Sequence, residues 1–363
     1  MTETTDALTE LEEVLARHHL RGQWQGDPQR AQNVTETAEH GIYAEPAPLA
    51  RPHVWKWTMM EPLLKRSLDA MAESKTARRT LSMVNPGLPR GTTQTLITAI
   101  QIIHPGETAW VHRHTITALR FVIEGGEEMF TVVDGEPQVM QPYDLILTPG
   151  WTWHDHHNET GRPAIWLDAL DVPLMHNLNQ IFYEEPAAHE QNRRPAGPGP
   201  SPLLRKTWEP PGLTGRPLRY PWTEVRAELE RLAADSPGSP YDGLALEYVN
   251  PLTGGPVLPT IGCWIQMLPP GFEGRRHRRT SSAVCFVVGG EGATEFDDVR
   301  LDWGVHDTFA LPNWTWHRHL NRSATEAAYL FSVTDIPVLS AFGLYREEPE
   351  NSPGGIGPLG IHP

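Results

Sequence analysis

Cysteine is scarce in this chain: 2 among 363 residues, Cys263 and Cys285, with no Cys-x-x-Cys pair. Two isolated thiols cannot make a disulfide framework, which excludes the small disulfide-stapled secreted scaffolds. Long apolar runs are lacking too, and none approaches the roughly 20 residues that a membrane-spanning helix needs. Positive charge is in deficit, with 30 Lys and Arg against 45 Asp and Glu and a formal net charge of −15. That balance favours solubility and works against nucleic acid or anionic membranes as partners. An anionic substrate would therefore need a local cation of its own. The opening segment, MTETTDALTELEEVLARHHL, is acidic and amphipathic without an apolar centre. No secretion signal is expected there, and the cytoplasm is the expected location.

What the chain has in excess is turn formers, 35 Pro and 31 Gly, which favour many short elements over long helices. It also repeats itself. Val84-Asn85-Pro86 returns as Val249-Asn250-Pro251, Gln101 as Gln266, Pro105-Gly106 as Pro270-Gly271 and His112 as His277, all at an offset of 165. Pro149-Gly150-Trp151-Thr152-Trp153-His154 returns as Pro312-Asn313-Trp314-Thr315-Trp316-His317 at an offset of 163, as if the second copy had lost two loop residues. Matches that hold register over so many positions indicate two copies of one domain.

Each copy reads as β. Leu96–Ile103, Leu119–Ile123, Met129–Val133 and Leu145–Leu147 are short apolar or β-branched runs separated by His104-Pro105-Gly106, Glu124-Gly125-Gly126 and Asp134-Gly135. Asp-Gly between two such runs predicts a hairpin turn with paired positive φ angles. Trp264–Leu268, Ala283–Val288 and Asp307–Leu311 echo the pattern. Many short strands with regular turns point to barrels or jelly rolls. Residues 6–20 read as a helix with Leu8, Leu11, Val14 and Leu15 on one face. The expected organisation is an arm over 1–77, a first barrel over 78–184, a Pro/Gly-rich linker with a short helix over 185–242, a second barrel over 243–345 and a tail over 346–363.

The sharpest local feature is Gly106-x5-His112-x-His114, followed forty residues on by His154 and then Asn158. Alternation along a strand puts His112 and His114 on one face, where a third imidazole from a later strand can meet them. Three neutral imidazoles suit a divalent first-row metal and leave positions open for other ligands. A lone His-x-His is commonly a core or surface pair. Here the preceding Gly and the later Pro149-x4-His154-x3-Asn158 weigh for a site.

These two segments resemble the two motifs of the cupin fold. The text HRHTITALRFVIEGG…TVVDGE…PGWTWHDHHN resembles the gentisate 1,2-dioxygenase family, with its salicylate and 1-hydroxy-2-naphthoate dioxygenase relatives. Pro52-His53-Val54-Trp55-Lys56-Trp57 and Asn85-Pro86-Gly87-Leu88 are further phrases of that family, and the similarity runs from about residue 50 to residue 345. The resemblance implies an all-β-dominated bicupin, two jelly-roll barrels with an N-terminal helical arm, assembled as a homotetramer. It implies Fe(II) on His112, His114 and His154, although three imidazoles also accept Mn, Ni, Cu or Zn. It implies cleavage of gentisate with O2 between the carboxyl- and hydroxyl-bearing carbons, giving maleylpyruvate. The chain departs from the common pattern twice. Arg120 stands where most metal-binding cupins carry a fourth ligand, Glu, and Tyr143-Asp144 replaces the usual Gly-Asp.

Further roles follow by position within that resemblance. Arg120 would hold the substrate carboxylate or negative charge developing on oxygen; a surface ion pair is the plain alternative. His156 would exchange a proton with the substrate hydroxyl, or be a satisfied structural histidine. Asp168 would orient a ligand imidazole or Arg120, unless the two form an ordinary buried pair. Arg78 matches a carboxylate-binding arginine and could equally be a solvated basic turn. Gln101 would bond substrate, although its echo Gln266 speaks for an architectural role. Trp151, Trp153 and Trp166 read as core and pocket wall. In the second copy His277 and His317 match His112 and His154, but Arg279 takes the place of His114 and Cys285 that of Arg120. A fixed cation repels a metal, so the second barrel is expected to be structural.

Salicylate or 1-hydroxy-2-naphthoate are the alternative substrates. A non-catalytic cupin that binds an aromatic acid is the reading from another class. A transcriptional sensor finds no support, since the sequence has neither a helix-turn-helix pattern nor a basic patch.

Overall fold

The computed structural model describes residues 2–22, 45–71, 79–193, 218–350 and 357–358. Residues 1–49 form a unit of their own, in which Thr2–Arg17 is helical. The helix ends earlier than its apolar pattern implies because His19 takes φ +55, the left-handed conformation that closes a helix C-terminus. No helix among the described residues is long and apolar enough to cross a membrane.

The rest of the chain builds two barrels. In the first, a six-stranded sheet runs Arg219–Tyr220, Leu145–Thr148, Ala118–Glu124, Ala164–Leu170, Ile97–Ile103, Thr80–Met83. It faces a five-stranded sheet, Tyr183–Glu184, Thr108–His114, His154–Asn158, Gly126–Val133, Glu136–Met140. The predicted hairpin is present: Val133 pairs with Glu136, and Asp134 and Gly135 hold φ +48 and +85. The motif residues Gly106 and Asn158 are architectural. Gly106 holds φ +72 and its N–H donates to Asn158 O at 2.7 Å. Asn158 Nδ2 donates to His104 O and Arg162 O at 3.0 and 2.8 Å, tying two strand ends together. Asn321 repeats this in the second barrel with Leu268 O, Pro269 O and Glu326 O.

The second barrel carries a six-stranded sheet, His53–Trp55, Thr308–Leu311, Ala283–Gly289, Ala328–Thr334, Gly262–Leu268, Leu244–Glu247. Its other side is two short sheets, one of which pairs His277–Arg279 with Arg346–Pro349. The first residues of the expected tail are therefore a strand of the second barrel; the Pro/Gly-rich stretch after Ser352 lies largely outside the described residues, as do residues 194–217 of the expected linker.

Strand order also shows what composition hid. His53–Trp55, within the segment read as an arm, pairs with Thr308–Ala310 of the second barrel. Arg219–Tyr220, within the segment read as a linker, pairs with Leu145–Ile146 of the first. Each barrel thus lends one strand to the other. The helices that follow, Trp57–Ala70 and Trp222–Asp235, start at the same offset of 165 as the barrels.

Buried carboxylates anchor both exchanges. Asp307 accepts from Trp57 N at 2.8 Å and Lys56 Nζ at 2.7 Å. Asp144 accepts from Trp222 N at 2.8 Å and Arg219 Nε at 2.7 Å. The residues before these aspartates, Tyr143 and His306, both hold φ +66, a turn that glycine would take without strain. Their side chains explain the departure from Gly-Asp: Tyr143 Oη and His306 Nε2 are hydrogen-bonded across the two barrels at 3.1 Å.

Between the barrels the core is continuous. Phe121 stacks on Phe331 with ring centroids 4.0 Å apart and meets Phe286, its own repeat partner, edge-on at 5.8 Å. Thr95 Oγ1 donates to Asp335 and Thr260 Oγ1 to Asp171, at 2.7 and 2.6 Å, so each barrel reaches into the other at equivalent points.

Asp144→Ala and Asp307→Ala should each cost on the order of 2 kcal/mol or more, since each strands a charged donor and an orphaned helix N–H. Thermal unfolding checks this; melting curves that superimpose on wild type would show the exchanged strands are held by something else.

Candidate metal centre

His112 and His114 sit on the strand Thr108–His114, and His154 opens the adjacent strand directly opposite His112. The register slips between Ala109 and His112, and this bulge brings the pair of histidines to bear on the third. One ring nitrogen from each of the three lies within 4.8 Å of the others. Among the described residues no other group of three His, Cys, Asp or Glu side chains comes so close.

Hydrogen bonds decide which nitrogens those are. His112 Nδ1 lies 2.9 Å from Trp110 O, His114 Nδ1 2.8 Å from Ile116 O and His154 Nδ1 3.0 Å from Thr152 O. A carbonyl can only accept, so each Nδ1 carries the proton and each Nε2 is left with its lone pair. His154 Nε2 is buried and has no hydrogen-bond partner. Burial, reinforced by neighbouring His112 and Arg120, pulls His114 down to about 4, and the same causes hold His154 well below the usual imidazole range. Three pre-oriented nitrogen donors, that of His154 with a buried lone pair, fit a divalent metal.

A cavity of about 150 Å³ opens beside the triad. Arg120, His156, Asp168 and Gln101 line it along with the three histidines, as do Leu170 and Tyr183. Arg120 does not get there by continuing the strand of His112 and His114. The chain turns at residues 115–117, and Arg120 enters from the opposing sheet on the strand Ala118–Glu124. Asp168 lies directly across from it, with Arg120 Nε 3.4 Å from Asp168 Oδ1. On its other side the guanidinium donates to Thr148 Oγ1. Burial pushes Asp168 up to about 6, with Arg120 working against the rise, and lowers Arg120 in turn. The pair is therefore desolvated on both sides, and it sets a guanidinium beside the three histidines.

His156 Nδ1 lies 2.8 Å from Thr131 Oγ1, and burial holds the ring neutral. The second barrel repeats this bond as His319 with Thr294 at 2.9 Å, so the His–Thr pair also serves the fold. Gln266 there holds Asp242, 3.3 Å from Nε2, whereas Gln101 faces the cavity. Arg78 lies outside the described residues. Its neighbour Arg79 is buried and clamped on Glu107 at 2.6 and 2.7 Å. Trp166 is core, but Trp151 and Trp153 flank Arg113, each 4.4 Å from its guanidinium, instead of walling the cavity. The histidine motifs carry no mark of Thr148 or Tyr183. Thr148 could have been found as the residue before Pro149; Tyr183 comes from a strand that no turn signal announces.

In the second barrel His277 and His317 face each other with centroids 4.5 Å apart, and both Nε2 atoms are buried without a hydrogen-bond partner. Arg279 stands in the third position, donating to Asp242 at 2.6 Å and Glu347 at 2.5 Å. A resident guanidinium, neutralised by two carboxylates, occupies the place of a ligand.

The Cupin domain family matches residues 99–170 and 264–333, one segment in each barrel. The chain is 44% identical over 342 residues to a 1-hydroxy-2-naphthoate 1,2-dioxygenase of Nocardioides sp. (strain KP7), covering 92% of this chain and 86% of that protein. It is 40% identical over 330 residues to a 5-aminosalicylate 1,2-dioxygenase of Comamonas sp., covering 86% and 85%. The crystal structure of salicylate 1,2-dioxygenase from Pseudoaminobacter salicylatoxidans with gentisate superposes with a TM-score of 0.78 at 29% identity, covering 95% of this chain and 94% of that one.

His114→Ala should reduce bound metal to background and leave the melting curve of the metal-free protein in place, while His277→Ala should leave metal content unchanged; the reverse pattern would relocate the centre. Burial holds competing protonation of His114 and His154 below the free-imidazole range. Metal should therefore stay bound from neutral pH down through pH 5 and leave on approach to about 4. Loss centred near pH 6.5, the value of a free imidazole, would contradict the burial of these ligands.

Proposed function

The chain belongs to the gentisate and salicylate 1,2-dioxygenase family of bicupin ring-cleaving enzymes, and we propose that it opens an ortho-hydroxy aromatic acid with O2, using Fe(II) held by His112, His114 and His154. The observation that carries this reading is a buried guanidinium, Arg120, sharing one small cavity with three imidazoles whose Nδ1 atoms are all turned to backbone carbonyls. When bound, ferrous iron supplies open coordination positions and the redox capacity to bring the acid and O2 together.

The chain's own residues supply the rest. Arg120 takes the carboxylate, or the negative charge that develops on oxygen as the bond between the carboxyl- and hydroxyl-bearing carbons breaks. Asp168 and Thr148, on either side, hold its guanidinium to one direction. His156 is kept neutral by burial and is held at Nδ1 by Thr131. Nε2 is then the nitrogen left to exchange a proton with the substrate hydroxyl. Gln101 lines the same wall and is placed to bond the substrate's polar edge. The homotetramer expected from the family is part of this proposal.

Gentisate, giving maleylpyruvate, is the first substrate reading: its second hydroxyl, para to the first, pushes electrons toward oxygen and makes ring opening easier. 1-Hydroxy-2-naphthoate is the second, favoured by the 44% identity to the Nocardioides enzyme. Both present the same hydroxyl–carboxylate edge to the centre and differ only farther out.

O2 uptake and product absorbance should be followed with iron-loaded protein on gentisate, 5-aminosalicylate, salicylate and 1-hydroxy-2-naphthoate. At least one should be consumed with one O2 per ring; binding of these acids without O2 uptake would leave only an aromatic-acid binder. Arg120→Ala should lower turnover of the preferred acid by about 10²–10³-fold, the scale of removing one preorganised charge-stabilising donor. An unchanged rate would demote Arg120 to a structural ion pair.

A further inference from the structure

We propose that Tyr183 is a specificity-determining residue of this site, an outer wall against which the ring of the bound acid lies; the inference rests on the ring-cleavage reading above.

Tyr183 arrives on a two-residue strand, Tyr183–Glu184, that straps the outer edge of Thr108–His114. In that register Tyr183 stands directly opposite His114. Cross-strand partners project to the same face of a sheet, so the ring joins the face that carries His112 and His114. Its centroid lies 5.6 Å from that of His112 with the planes 29° apart, and it lines the cavity. Yet the residue is 46% exposed, which sets it at the mouth and not in the core.

The strap is pinned on both sides of Tyr183. Thr115 N donates to Phe182 O at 3.1 Å, and Phe182 N donates to Thr115 Oγ1 at 3.0 Å. Glu184 accepts from Arg113 at 2.6 Å. The phenol donates to Glu185 Oε1 at 2.7 Å, which points the hydroxyl at the strap's own carboxylate. What remains for the cavity is a flat aromatic face held in a fixed position.

The second barrel supplies an internal comparison. There the strap is Arg346–Pro349, laid on His277–Arg279 with Thr280 making the same two-way bond to Arg346. Glu348 pairs with Arg278 at 2.6 Å, as Glu184 does with Arg113. Opposite Arg279, where the first barrel has Tyr183 opposite His114, stands Glu347, and its carboxylate is spent on that guanidinium. The strap position thus addresses the centre in both barrels. It carries an acid where the centre holds a fixed cation, and an aromatic ring where an aromatic ring is to be received.

The hydroxyl–carboxylate edge is common to all the candidate acids, so a wall that touches the ring is where one- and two-ring substrates are told apart. The test compares iron-loaded wild type, Tyr183→Phe and Tyr183→Ala. It reads kcat and KM for gentisate and 1-hydroxy-2-naphthoate, the Kd of each acid without O2 by tryptophan fluorescence, and iron content. Tyr183→Phe keeps the ring and should keep the wild-type preference. Tyr183→Ala should keep its iron and weaken gentisate by about tenfold in KM and Kd, the upper end of what an aromatic pair contributes. The two-ring acid, which can fill the vacated space, should lose less, so the preference between the two acids shifts. An unchanged preference in Tyr183→Ala, or a loss confined to kcat, overturns the proposal. If neither acid is turned over but the Kd preference shifts, the wall stands and the ring-cleavage reading falls; if wild type binds neither acid, both fall.

Discussion

Each of three histidines spends its Nδ1 proton on a backbone carbonyl two residues away, and the site depends on that economy. Carbonyls only accept, so they leave three Nε2 lone pairs within 4.8 Å of one another, that of His154 fully buried. Such an arrangement is costly without a cation to satisfy it. The second barrel shows the other solution: with one imidazole replaced by Arg279, a cation is built into the chain, and Asp242 and Glu347 close around it. Burial then presses in opposite directions. It keeps His114 and His154 neutral and available, while in the second the arginine holds Asp242 ionised, below the usual carboxylate range, despite burial.

Around that contrast the two barrels are built alike. Each gives a strand to the other, each caps the following helix with a buried aspartate, and the face between them is one apolar core crossed by paired Thr–Asp bonds. The exchange makes the barrels mutually dependent. The second barrel therefore has a task apart from any metal, since it completes the sheet and anchors the helix of the first.

Much of this was legible before any coordinates. The repeat at an offset of 165, the strand runs and the Asp134-Gly135 turn mark the doubled β fold, because period-two patterns and turn residues are local signals. His112, His114 and His154 were legible because their spacing is a motif. Other features depend on what folds beside what. The strand exchange leaves no trace in composition, and Pro-rich flanks hid Arg219–Tyr220 in an apparent linker. Arg120 was legible by its motif position, but the chain bends at residues 115–117 and only the opposing sheet explains how its side chain enters. Thr148 gains its meaning from Arg120, and Tyr183 from a strap paired across 69 positions with His114; neither relation is local.

Crystals of the full chain grown with ferrous iron and measured on both sides of the iron absorption edge test the central claim most directly. The account predicts one anomalous peak per chain, among the Nε2 atoms of His112, His114 and His154, and none between His277 and His317. A peak in the second barrel, or three histidines in the first standing apart from any bound iron, would contradict it.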